Sequence, residues 1–283
     1  RRQRQMCIRD RPFDTVKRVR VGDIDIAYVD VGSGTVPLLL IHGFACGMRM
    51  WSRVIAQLAP QRRVIAMDLR GHGLSGAPGD AAQYSAAHLM RDLAGFLDAL
   101  KLEQIDLVGF SLGGGPALGL ALTQPLRVRR LVLADVGSGA ENPWGLVRLS
   151  QVWVDHAQRG GWDQLAPDML RGEFFKHLAR RGPSSRRYMN ALLRQHKLHG
   201  IVNTLEQVLA RRKSLFRMRG RLAGVKMPTL VLAGAQDFVC AKAARLLSQS
   251  IPGAATVKIA GGSHMVPVER ARDFAEAVAR FLA

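Results

Sequence analysis

Apolar residues recur along the chain in two rhythms. Short, mainly apolar runs at 37–41, 63–67, 105–110, 130–134, 229–233 and 256–260 predict strands, those at 37–41, 63–67, 105–110 and 229–233 buried in the sheet. Longer stretches at 51–58, 85–100, 241–249 and 270–282 predict helices; in 85–100 the apolar positions are 89, 93, 96, 97 and 100, a helical spacing. Residues 19–30 alternate apolar and polar side chains about Gly22-Asp23, the pattern of a hairpin. Strand and helix patterns in alternation predict an α/β fold, a mostly parallel sheet with helices on both faces. Residues 140–219 break the alternation. They hold no strand-like run and read as several helices interrupted at Gly160-Gly161, Pro167, Gly182-Pro183 and Gly200. The expected organisation is one core domain, 12–139 with 220–283, and an inserted helical cap, 140–219.

Parallel sheets bind ligands at the carboxyl ends of their strands. Ser111, Asp135, Asp237, His264, His42 and Phe44 all follow predicted strands, so the fold is expected to gather them at one edge. The strand 105–110 runs through Gly109-Phe110-Ser111-Leu112-Gly113-Gly114-Gly115 into the helix-forming Pro116 to Leu122. A Gly-x-Ser-x-Gly motif between strand and helix is a nucleophile elbow, with the serine at the tip of a strained turn. Gly109 and Gly113 supply the small residues that this crowded turn requires, and Gly114 and Gly115 extend the clearance.

A serine hydroxyl is a weak nucleophile at neutral pH and needs a base. His264 provides an imidazole, and a carboxylate is needed to fix its tautomer. Two aspartates qualify by position, Asp135 and Asp237. Asp237 closes the turn Gly234-Ala235-Gln236-Asp237 and stands 27 residues before His264, one helix and one strand away. Asp135 opens the excursion into the cap, so Asp237 is assigned as the acid. Among the neighbours, His42 reads as a structural histidine, Arg70 and His72 as residues shaping their loop, and Trp51 as core. Cys240 reads as a small buried filler. The histidines at 88, 156, 177, 196 and 199 read as surface or packing residues.

Composition changes the picture little. The net charge of +19 raises nucleic-acid or membrane binding. The basic residues are 33 Arg and 8 Lys among abundant Ala and Gly, a skew that GC-rich coding produces by itself. Residues 1–11 carry five of the Arg and one Asp, and Met6 to Arg11 resembles a translated sequencing-library adapter on an assembled environmental sequence. That segment is set aside as non-native and expected to be disordered. No nucleic-acid-binding motif is visible, so neither nucleic-acid binding nor stable membrane association is expected. The cap holds 15 Lys/Arg against 6 Asp/Glu. No run of 18 apolar residues and no secretory h-region is visible, and the three cysteines show no disulfide or metal spacing. A reduced, cytoplasmic setting and no cofactor are expected.

His42-Gly43-Phe44, Asp68-Leu69-Arg70-Gly71-His72-Gly73, the Ser111 motif, the Asp237 turn and Gly262-Ser263-His264, in this order, resemble the α/β-hydrolase-fold enzymes from about residue 19 onward. The resemblance implies an oxyanion hole formed by the backbone N–H groups of Phe44 and Leu112. It implies a capped serine hydrolase, a carboxylesterase acting on small or medium acyl esters. Enol-lactone hydrolases, cofactor-free perhydrolases and C–C bond hydrolases share the triad and stay open, as do an acyltransferase and a non-catalytic binding protein. A serine at 111 argues against haloalkane dehalogenases and epoxide hydrolases, whose nucleophile is Asp.

Overall fold

The computed structural model describes residues 13–137 and 143–283, so residues 1–11 lie outside the described chain. Eight strands form one sheet: β1 (Lys17–Val21), β2 (Ile24–Val31), β3 (Leu38–Ile41), β4 (Val64–Met67), β5 (Ile105–Phe110), β6 (Val128–Ala134), β7 (Thr229–Gly234) and β8 (Ala255–Ile259). Their spatial order is β1-β2-β4-β3-β5-β6-β7-β8. β1 and β2 form the antiparallel hairpin, and β2 runs antiparallel to β4. All pairings from β4 through β3, β5, β6 and β7 to β8 are parallel. Every residue of β3 and β4 is fully buried, as the unbroken apolar runs require of strands covered on both faces.

The helices of this core are α1 (Ser52–Leu58), α2 (Ala86–Ala99), α3 (Gly114–Thr123), α9 (Ala241–Ser250), α10 (Val266–Glu269) and α11 (Ala271–Leu282). Ser85 starts α2 by accepting a hydrogen bond from the His88 N–H, an N-cap that settles one orphan donor. α1 packs against α11, and α2 against α3. Trp51 is buried, 6.1 Å from the Phe110 ring at the end of β5 and 5.8 Å from Phe274 on α11.

Between β6 and β7 run α4 (Pro143–Arg171), α5 (Lys176–Ala179), α6 (Pro183–Arg194), α7 (Leu198–Thr204) and α8 (Arg219–Leu222), with a π-helical turn at Leu205–Leu209. Among its described residues this insertion contributes no strand. Two of its four expected breaks occur. Gly160 and Gly161 leave the helical region inside α4, and Gly182 with φ 133° precedes Pro183 at the start of α6. The other two do not. Pro167 stays within the second half of α4, where Leu165, Ala166, Met169 and Leu170 are buried and this packing outweighs one missing hydrogen bond. Gly200 lies inside α7, and a Cβ on it would sit 2.5 Å from the Gly71 carbonyl oxygen. Its glycine serves the close approach of α7 to the loop after β4, not a break.

Candidate active site

β5 delivers Ser111 at its carboxyl end. Ser111 has φ 49°, a left-handed backbone that side-chain-bearing residues rarely adopt. A Cβ at Gly109 would lie 2.7 Å from the Ala117 Cβ, and one at Gly113 2.7 Å from the His42 carbonyl oxygen. The helix beside Gly109 and the end of β3 beside Gly113 therefore leave no room for a Cβ at these two positions. Gly115 faces open space, so it adds nothing to that clearance.

The structure brings three of the expected residues into one hydrogen-bonded chain. Ser111 Oγ is 3.0 Å from His264 Nε2, and His264 Nδ1 is 2.8 Å from Asp237 Oδ2. A carboxylate only accepts, so Nδ1 carries the proton and Nε2 is free to accept from the serine hydroxyl. The turns carrying Asp237 and His264 are stitched together: Gln236 N–H donates to the Gly262 carbonyl and Ala235 N–H to that of Ile259. Cys240 N–H donates to Asp237 Oδ1. The buried carboxylate of Glu269 accepts from both the backbone N–H and the hydroxyl of Ser263, fixing the loop before His264. Burial acts to raise the Asp237 carboxyl, but the charge of His264 and its hydrogen bond outweigh that and hold it at about 2. A hydroxyl, an imidazole and an ionised carboxylate linked in this order can activate the hydroxyl for attack on a carbonyl carbon.

Asp135 occupies a different role. It is buried, with φ 45°, and its Oδ1 accepts from the Gly234 N–H at 2.9 Å. Burial, and the negative charge of Asp237 beside it, push its carboxyl well above the usual carboxylate range. It therefore sits behind Asp237, with its charged form disfavoured. Cys240 is buried as expected, yet its Sγ lies 3.6 Å from His264 Nδ1, so it borders the hydrogen-bonded chain and is more than filler. Among the described residues, Asp237, Cys240 and His264 are the group whose donor atoms could hold a metal ion, all within 4.8 Å of one another. A metal would have to take Nδ1, whose proton Asp237 already accepts.

The loop after β3 lies against the serine: a Cβ on Gly43 would stand 3.1 Å from the Ser111 Cβ. Among the hydrogen bonds of the described residues, none is donated by the backbone N–H of Phe44 or Leu112. His42 braces this loop, with Nδ1 on the Gly43 carbonyl and Nε2 accepting from the Leu69 N–H. Arg70 is anchored across the fold, to Asp23 in the hairpin turn and to Asp92 on α2. His196, at the end of α6, is buried and accepts from the Gly73 N–H at 2.7 Å, tying the insertion to the core.

Burial pushes His72 down to about 4, and burial with the charge of His72 pushes His196 down to about 3. Unfolded histidines titrate near 6.5, so above that pH both states are neutral and the stability is fully present. As pH falls from 6.5 towards these lowered values, the unfolded chain binds protons that the fold refuses, and stability is lost. Between pH 7.5 and 5.0 each of the two is expected to cost about 2 kcal/mol. Urea unfolding at both pH values checks this. His196→Asn, which keeps an acceptor for the Gly73 N–H, is expected to remove about 2 kcal/mol of the loss, and an unchanged loss would contradict neutral burial of His196.

Ser111 and His264 open into a cavity of about 550 Å³. The core lines it with Phe44, Phe110 and Met265, and the insertion with Leu149, Trp153, Phe174, Leu205 and Leu209. Phe174 packs 4.9 Å from the His264 ring, and Phe44 stacks on Trp153 at 6.3 Å. Reading the sequence missed these insertion residues and Glu269. They carry no spacing motif; the hydrophobic pattern marks them as buried but not as facing the serine.

The family model described as the alpha/beta hydrolase fold matches residues 36–271. The chain is 45% identical over 126 residues to the 2-hydroxymuconate semialdehyde hydrolase of Pseudomonas sp. (strain CF600), a match covering 41% of this chain and 44% of that protein. The chain thus spans about half the length of the relatives it matches at the head of the comparison. A protein of the same name from Pseudomonas putida is 32% identical over 271 residues, covering 90% of this chain and 89% of that protein. The crystal structure of a hydrolase from Pseudomonas aeruginosa PA01 superposes with a TM-score of 0.82 at 30% identity, covering 95% of this chain and 98% of that one. With this fold and these matches, the chain belongs to the α/β hydrolase family.

Proposed function

We propose that the protein is a serine hydrolase that cleaves carboxylic esters of small to medium acyl groups through an acyl-enzyme on Ser111. The observation that carries this reading is the hydrogen-bonded chain Ser111–His264–Asp237 opening into a mainly apolar cavity of about 550 Å³. Pockets of this size take small ligands and bury most of their surface. Ser111 Oγ attacks the ester carbon while His264 Nε2 takes its proton. The oxyanion is held by the N–H groups of Phe44 and Leu112, both without another acceptor among the described residues. His264 returns the proton to the departing alcohol. Water, deprotonated by His264, then attacks the acyl-enzyme and releases the acid. The helices of the insertion act as a cap, setting which acyl groups fit. The chemistry so written uses no metal or organic cofactor.

The relatives named 2-hydroxymuconate semialdehyde hydrolase support a second reading, C–C bond hydrolysis with the same three residues. There the group leaving the tetrahedral carbon is a carbanion, and His264 or a water must protonate it. A panel of p-nitrophenyl esters from acetate to decanoate, beside a vinylogous 1,5-diketone, separates the two. Ester turnover peaking at short to medium chains is expected. Rapid cleavage of the diketone with negligible ester turnover would replace the first reading with the second.

A further inference from the structure

We propose that Gln195, carried by the insertion, is a positioning residue for the oxyanion hole. It holds the loop that presents the Phe44 N–H, so the hole is fully formed only while the insertion is docked on the core. The proposal rests on the active-site reading above. Gln195 directly follows α6, and its side-chain amide bridges two backbone carbonyls. Nε2 donates to the Leu192 carbonyl at 2.9 Å and to the Cys46 carbonyl at 2.7 Å. The first bond settles one of the orphan carbonyls at the helix end. The second crosses from the insertion to the loop after β3, two residues beyond Phe44. Two carbonyl acceptors fix the orientation of the amide, since the flipped form would set oxygen against oxygen. Among the described residues no backbone N–H donates to the Cys46 carbonyl.

The loop needs such a hold. Ala45, next to Phe44, has φ 55°, a left-handed backbone that is costly for a residue with a side chain and persists only where its surroundings impose it. The loop's own bonds are modest. Cys46 N–H donates to the Gly43 carbonyl at 3.3 Å, and the Cys46 thiol, a weak donor, to the Phe44 carbonyl. From the core, His42 Nδ1 bonds the Gly43 carbonyl and the buried Asp68 carboxylate accepts from the Met48 N–H at 2.6 Å. These tie the two ends of the segment 43–48, and Gln195 ties its middle. A Cβ on Gly47 would lie 3.2 Å from Asp68 Oδ1 and 2.9 Å from Gln195 Nε2, so both groups close on the same turn. A backbone N–H stabilises an oxyanion best when it is aimed before the charge develops. Loosening the middle of this loop therefore weakens the transition state more than the bound substrate.

The test uses Gln195→Met, which keeps the bulk and removes the donors, and the nearly isosteric Gln195→Glu, which sets a carboxylate against the same carbonyls. Losing an oxyanion donor outright costs about 10²–10³ in kcat. A donor left in place but loosened is expected to cost about tenfold in kcat, with KM within about threefold of native. The second readout is inhibition by 1,1,1-trifluoroheptan-2-one and by heptan-2-one, which have nearly the same shape. Ser111 Oγ adds to the fluorinated ketone, its proton passes to His264, and the former carbonyl oxygen takes the oxyanion position; the plain ketone only fills the cavity. Affinity for the fluorinated ketone is expected to fall in both variants by the same factor as kcat/KM, and affinity for heptan-2-one to stay unchanged. A merely structural role would lower the thermal midpoint and leave the ratio of the two affinities where it was. His199→Ala removes another bond between insertion and core, from Nε2 to the Ala77 carbonyl at 2.9 Å, away from the oxyanion loop. It is expected to keep native kcat and the native ratio. A ratio unchanged in both Gln195 variants, or one lowered equally by His199→Ala, overturns the proposal while the active-site reading stands. Failure of the fluorinated ketone to inhibit the native protein would overturn that reading, and the role of Gln195 with it.

Discussion

Ser111→Ala is expected to lose at least about 10⁴-fold in kcat/KM while keeping its thermal midpoint. Removing the nucleophile takes away the covalent route and leaves only the oxyanion donors and binding to lower the barrier. The geometry behind the expectation is a hydroxyl 3.0 Å from an imidazole nitrogen that can only accept, on a backbone with φ 49°. A strained serine held there without a chemical task would be a cost with no return. Alanine has the same Cβ, so the elbow is not disturbed. Purified protein assayed on the best ester of the panel, with fluorophosphonate labelling of the native chain as a companion, checks it. A variant that retained a tenth of native activity would remove Ser111 from the mechanism.

The second large effect separates two aspartates that look alike in the sequence. Asp237→Asn is expected to lower kcat by up to about 10⁴-fold, because an amide facing His264 Nδ1 favours the tautomer whose Nε2 carries the proton and can no longer accept from Ser111. Asp135→Asn is expected to cost less than about threefold. The charged form of Asp135 is already disfavoured by burial and by Asp237, and an amide oxygen can keep the bond from the Gly234 N–H. Measuring both variants on one substrate at one pH decides the matter. If Asp135→Asn were crippled and Asp237→Asn nearly normal, the acid would have to be reassigned.

Much of this architecture was legible in residue order. Strands β3, β4, β5 and β7 announced themselves as continuous apolar runs, because a strand covered on both faces has no polar side to show. The elbow was legible because only glycine tolerates a strand and a helix meeting at Gly109 and Gly113. The spacing of Asp237 and His264 was legible because one helix and one strand must fit between neighbouring strand ends. The misjudged breaks at Pro167 and Gly200 follow from the same local logic. A proline or glycine reads as punctuation, whereas tertiary packing decides if the helix survives it.

By itself, then, the sequence determined the mostly parallel sheet and placed Ser111, Asp237 and His264 directly after strands. These depend on side-chain period and on backbone sterics, which act over a few residues. Only the tertiary structure decided which insertion side chains face Ser111, that Glu269 holds the loop of His264, and that His196 ties the insertion to Gly73. It alone raised the Asp135 carboxyl, by burying it beside Asp237. Protonation and hydrogen-bond satisfaction are set by what lies within a few ångströms in space, and those neighbours come from residues up to 153 positions apart in the chain.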